Sequence, residues 1–76
     1  MWIRSQEKTK LLKVEIVEYC SGLGIYVNGQ RCAKYSTEQK TLKVLDMIEE
    51  HLEKMYIGTS NYMGKPFQMP QDEEVL

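Results

Sequence analysis

The chain has 76 residues, ten Lys or Arg against eleven Asp or Glu, and a formal net charge of −1. A length this small leaves room for one core and excludes two independently folded domains, while the near-balance of charge argues against nucleic-acid binding, which carries a visible basic excess. No stretch is long and apolar enough to cross a bilayer and no basic start leads into an apolar signal segment, so no membrane association and a cytoplasmic location are expected.

The chain opens MWIRSQEK. In a pleated strand Trp2, Arg4 and Gln6 point one way and Met1, Ile3 and Ser5 the other. SQEKT has turn-like polarity and joins this strand as a hairpin to LLKVEIVEY, whose alternation predicts one half-buried strand with Leu12, Val14 and Ile16 on one side and Val17 and Tyr19 on the other. CSGLG marks a tight change of direction. IYVNGQRCAKY carries the strongest local signal: Asn28-Gly29 predicts a two-residue type I′ hairpin, because both central positions need positive φ. Tyr26 and Gln30 are expected near one another across it, and the second arm is expected to end near Tyr35.

STEQKTLKVLDMIEEHLEKM reads as a helix capped by Ser36, with Gln39 at capping-box spacing and Glu38 at the positive helix start. Leu42, Leu45, Ile48, Leu52 and Met55 form its apolar stripe, with Thr41, Val44 and Met47 at the margins. Gly58 offers a stop. In the tail, Pro66 and Pro70 interrupt any helix, Phe67 and Met69 fit a short extended segment, and the final QDEEVL is expected to fray. The expected fold is therefore α+β, one domain over residues 1–76: a small antiparallel sheet of about four strands, one long C-terminal helix on one face, and an extended tail.

Few motifs carry chemistry. SGLG lacks the spacing of a phosphate cradle and precedes a strand rather than a helix, so it reads as a turn. His51, the single histidine, lies on the polar or boundary side of the helix with no metal-ligand partner at the right spacing. Glu49, Glu50 and Glu53 are close in sequence, but Glu50 to Lys54 is a plain surface pair. Cys20 and Cys32 match neither a redox nor a metal pattern and read as small packed hydrophobes, with one disulfide left open. The basic run KTKLLK is followed closely by Glu15 and Glu18 and reads as a solvated edge. No catalytic residue, metal or cofactor is expected.

What remains is an aromatic and polar set, Trp2, Arg4 and Gln6, with Tyr19 and Tyr26 beside them on the sheet face opposite the helix. Arginine presents several donors to a carboxylate or phosphate, glutamine donates and accepts, and an aromatic ring can stack. WIRSQEKTKL near the start, AKYSTEQKTLKVLDMIEE into the helix and FQMP near the end occur in one order across much of the chain. In these segments it resembles a family of short, largely uncharacterised proteins of Gram-positive bacteria and their phages and mobile elements. Those relatives typically show aspartate at Glu7, Leu-Gly at Cys32-Ala33 and alanine at Thr41. The resemblance implies one folded unit and carries over no catalytic residues.

The expected function is a non-enzymatic accessory or interaction protein of phage or mobile-element origin, acting through that face as a homo-oligomer, a dimer being favoured, or on a protein partner. The alternatives are a small binding or sequestering protein for an anionic ligand such as a nucleotide signal, with Arg4 engaging charge and Trp2 or Tyr26 stacking, and a weak hydrolase using the helix carboxylates and His51.

Overall fold

The stretch read as one strand over residues 11–19 is two strands, and the break between them divides the fold. The computed structural model describes residues 1–20, 24–56 and 65–75, apart from the side chains of Cys20, Met55 and Tyr56. Its elements are β1 (Trp2–Arg4), β2 (Leu11–Lys13), β3 (Val17–Cys20), β4 (Gly24–Val27), β5 (Gln30–Lys34), α1 (Glu38–Tyr56), β6 (Phe67–Gln68) and a 3₁₀ turn at Asp72–Glu74. The strands form two three-stranded sheets in the orders β2-β1-β6 and β3-β4-β5. This corrects the expectation of one four-stranded sheet with a C-terminal helix, because the helix lies mid-chain and the segment after it supplies a strand.

Asn28 holds the break open. Its Oδ1 accepts the Glu15 and Ile16 N–H groups at 2.8 and 3.1 Å, and its Nδ2 donates to the Lys13 carbonyl at 2.6 Å. The Asn28 N–H in turn donates to the Ile16 carbonyl at 2.8 Å. One side chain thus satisfies the main chain where the strand bends, which a regular ladder would otherwise have to do. The turn itself is as expected: Asn28 and Gly29 have φ of 52° and 80°. Its register differs, since Val27 pairs with Gln30 and Tyr26 with Arg31, with a bulge between Ile25 and Tyr26. A two-residue turn places the residues immediately flanking it opposite one another.

The opening hairpin forms as predicted, with Trp2 opposite Lys13, Ile3 opposite Leu12 and Arg4 opposite Leu11. Its turn is tightened by the buried Ser5, whose N–H donates to the Lys10 carbonyl while its Oγ accepts the Lys10 N–H. The tail then adds β6 parallel to β1, Ile3 opposite Phe67 and Arg4 opposite Gln68. Phe67 and Met69 alternate inward beside Ile3, and both are buried.

The helix begins one residue later than expected. Thr37 is the cap, its Oγ1 accepting the Lys40 N–H at 3.1 Å, while Ser36 is drawn off to Asp72. Thr41, Val44 and Ile48 face the core, and Leu42 and Leu52 are 44% and 43% exposed. Of the predicted stripe, Ile48 is buried and Leu45 packs against the core while Leu42 and Leu52 stay exposed, so the core face is shifted toward the predicted margin residues Thr41 and Val44. Two overlapping stripes are available on this helix, and the one lying over β3 and β4 is the one carrying β-branched side chains. The hydroxyl of Thr41 is satisfied there by the Thr37 carbonyl at 3.0 Å.

The tail is held as well. Asp72 accepts the Ser36 N–H at 2.7 Å and the Ser36 hydroxyl at 3.0 Å, and pairs with Lys40 at 3.3 Å. Tyr35, buried, donates its hydroxyl to the Pro70 carbonyl at 2.7 Å. Val75 closes one end of the core, so residues 71–75 are tied down rather than frayed. The turn expected at CSGLG, the stop at Gly58, the Met55 side chain and the last residue lie outside the described residues. Cys32 is buried and free of any disulfide. Burial, the main cause, raises its thiol above the ordinary value, which keeps it protonated and weakly nucleophilic.

Candidate interaction face

Side-chain alternation along β1 and β2 sends Ile3 and Leu12 inward and Trp2, Arg4, Leu11 and Lys13 outward. Trp2 is 43% exposed and Leu11 48%, and Arg4 and Lys13 are exposed beside them. Arg4 lies directly opposite Leu11 and Trp2 opposite Lys13, so the face alternates an apolar and a cationic side chain across the pair. Among the described residues neither Arg4 nor Lys13 enters an ion pair.

Of the five residues expected on one surface, the structure keeps Trp2 and Arg4 together and separates the other three. Gln6 lies past the end of β1 and is turned to the rest of the fold. Its N–H donates to the Cys32 carbonyl at 2.9 Å. Its carboxamide accepts the Lys34 N–H at 3.0 Å and donates to the Lys34 and Pro70 carbonyls, each at 3.1 Å. The Gln6 carbonyl accepts from Gln71 Nε2 at 2.7 Å. Gln6 is thus the clamp between the opening hairpin, the edge of β5 and the tail. No strand alternation could have revealed this, because its partners are 26 to 65 positions away in sequence.

Tyr19 and Tyr26 belong to the other sheet and to opposite faces of it. Tyr19 pairs with Ile25, which is fully buried, and so lies on the core side. Tyr26 pairs with Glu18 and Arg31 on the outer side. There Gly24 makes room for it: a Cβ at Gly24 would lie 3.3 Å from the Tyr26 ring and 3.2 Å from Arg31 Cδ. Leu11 and Lys13, absent from the expected set, complete the face with Trp2 and Arg4; their place in LLK opposite WIR would have found them once the hairpin register was known.

Two sheet edges are closed by side-chain amides. Met1 with Val14 and Ser5 with Lys10 flank the β1–β2 ladder as hydrogen-bonded pairs, so Leu11 and Lys13 aim their main-chain groups away from β1. Asn28 occupies the Lys13 carbonyl there. Gln6 occupies Lys34 on the outer edge of β5 in the same way.

The hollows lie elsewhere. One, about 190 Å³, is lined by Met47, Glu50, His51, Lys54 and Phe67, and a second, about 240 Å³, by Asp46, Glu49, Glu50 and Glu53. Both are open and shallow. His51 Nε2 sits 3.3 Å from the Lys65 carbonyl, and its ring meets the Phe67 ring edge-on with centroids 5.5 Å apart. Glu50 pairs with Lys54 at 3.2 Å, as its spacing predicts. Among the described residues no cluster of His, Cys, Asp or Glu could hold a metal ion, and no helix is long and apolar enough to cross a membrane.

Compared with known proteins, the chain matches no family model, no curated protein and no solved structure.

Proposed function

We propose that this chain is a non-enzymatic interaction protein that binds a protein partner through the outward face of β1 and β2. The observation that carries this is the side-by-side exposure of Trp2 and Leu11 with the cations Arg4 and Lys13. Exposed single hydrophobics are ordinary, whereas an aromatic and an aliphatic side chain set among cations on one face form an amphipathic contact surface. A tryptophan beside an arginine is the composition from which binding hot spots are made.

The two hollows described are lined by neither Trp2 nor Arg4. That favours a protein surface over a small anionic ligand, which needs a concave site. The placement of Glu50 and His51 supports the non-enzymatic reading, since Glu50 is tied to Lys54 and His51 to the Lys65 main chain and the Phe67 ring.

The test is a photo-crosslinking side chain placed at Leu11 in the full chain, with Trp2→Ala/Arg4→Ala as the control. Adducts that disappear in the control are expected. Absence of any adduct, or adducts indifferent to Trp2 and Arg4, overturns the reading.

A further inference from the structure

We infer that the partner this face fits is the outward side of α1 on a second copy of the chain. The inference rests on the interaction-face reading and adds the identity of the occupant. At about 100° per residue, Thr41, Val44 and Ile48 fall in one narrow arc toward the core. Leu42, Asp46, Glu49 and Glu53 fall in another on nearly the opposite side, and all four are exposed. Leu52, although exposed, borders the core-side arc instead. The outward side of the helix therefore joins the apolar Leu42 to three carboxylates, all of which also line the 240 Å³ hollow.

The sheet face has the complementary composition: Trp2 and Leu11 for the apolar contact, Arg4 and Lys13 for the charge. A chain whose total charge is only −1 thus sets Arg4 and Lys13 on one sheet face and Asp46, Glu49 and Glu53 on one side of the helix. Pairing like faces across a two-fold axis would set Arg4 and Lys13 against themselves, so the favoured contact is head-to-tail, sheet on helix. Addition of strands is obstructed at the edges of β2 and β5, where Asn28 holds Lys13 and Gln6 holds Lys34, and charge complementarity favours the faces. A head-to-tail contact does not stop at two copies unless its rotation closes a ring. One helix on three short strands falls short of the roughly 1,600 Å² of a standard interface, so the association is weak and depends on concentration and salt.

Sedimentation velocity of the full chain from about 10 µM to about 1 mM, in about 50 and about 500 mM NaCl, tests this. The weight-average mass of the native chain is expected to rise with concentration and to fall at high salt. Arg4→Glu/Lys13→Glu and Asp46→Lys/Glu49→Lys are each expected to stay at the monomer mass. An equimolar mixture of the two is expected to associate again, and so is the chain carrying all four changes. Rescue on mixing also shows that both variants are folded. A native chain that is monomeric throughout, reversals without effect, or a mixture that fails to associate overturns the helix-docking inference. If variant-dependent adducts at Leu11 to a different protein persist in that case, the interaction-face reading stands and only the identity of the occupant fails.

Discussion

Gln6 and Lys34 exchange hydrogen bonds as two strand residues would, the Lys34 N–H donating to Gln6 Oε1 at 3.0 Å and Gln6 Nε2 donating back to the Lys34 carbonyl at 3.1 Å. A side-chain amide reproduces the donor and acceptor of a peptide group, so the edge of β5 is covered without another strand. The same Nε2 reaches Pro70, which couples the closing of that edge to the docking of the tail.

Gln6→Ala is expected to lower stability by about 1 to 3 kcal/mol, since it removes three hydrogen bonds and leaves Pro70 less well paired. Gln6→Glu keeps the acceptor for Lys34 but sets a carboxylate against two carbonyls. It should lose stability at neutral pH and regain part of it in acid, when the carboxyl can donate. Urea unfolding at two pH values distinguishes the two effects.

Asn28 carries both a positive φ and the hydrogen bonds that stabilise the β2–β3 bend. Asn28→Gly retains the turn geometry and loses only the side-chain bonds, whereas Asn28→Ala adds backbone strain of about 1 kcal/mol. Alanine is therefore expected to be the more damaging of the two, with a total loss of about 2 to 4 kcal/mol. Equal effects in chemical unfolding would mean that the positive φ is not strained.

The rotation of the helix is checked by a pair of truncations. Ile48→Ala, at a position 5% exposed, should cost about 2 to 5 kcal/mol. Leu42→Ala, on the outward side, should cost well under about 1 kcal/mol. The reverse order in thermal or urea unfolding would put Leu42 rather than Ile48 against the core.

Asp72 sets an acid limb of stability. The Ser36 N–H is the largest cause holding its carboxyl below the ordinary value, with the Ser36 hydroxyl and Lys40 adding to it and partial burial opposing. A carboxyl depressed by folding contributes stability that is fully present above its unfolded value, roughly 3.9, and that is lost as pH falls through the folded one. Asp72→Asn should flatten that part of the pH profile.

Tyr35 gives the opposite limb. Burial first, then the charges of Asp72 and Glu74, raise its phenol well above the ordinary value. Its contribution is complete below an unfolded value of roughly 10 and is lost as pH climbs toward the folded one. Tyr35→Phe should remove this alkaline dependence and cost about 1 kcal/mol at neutral pH for the bond to Pro70. Both limbs are read from unfolding midpoints against pH.

Local chemistry was legible in the residues: the Asn28-Gly29 turn, the opening hairpin, the extent of the helix to within a residue of its cap, the short extended segment at Phe67, and the surface pair Glu50–Lys54. Each depends on backbone preference or on neighbours a few positions apart. Trp2 and Arg4 were legible as a shared face for the same reason, since alternation within one strand fixes the side of each residue relative to the next.

Partnerships across long separations were decided by the tertiary structure alone. Nothing in LLKVEIVEY shows that Asn28 will occupy its middle and send its two halves into different sheets. Nothing in FQMP shows that it pairs in parallel with WIR. Gln6 continues the alternation of Trp2 and Arg4 but answers to Cys32, Lys34, Pro70 and Gln71 instead, because past the strand end hydrogen-bond satisfaction outweighs pleat. Two overlapping stripes share Ile48 on the helix, and only contact with β3 and β4 brings the margin residues Thr41 and Val44 into the core beside it, leaving Leu42 and Leu52 exposed. The sequence determined which segments fold as strand, turn and helix; the requirement that every buried polar group find a partner, and that one apolar surface cover another, decided how those segments meet.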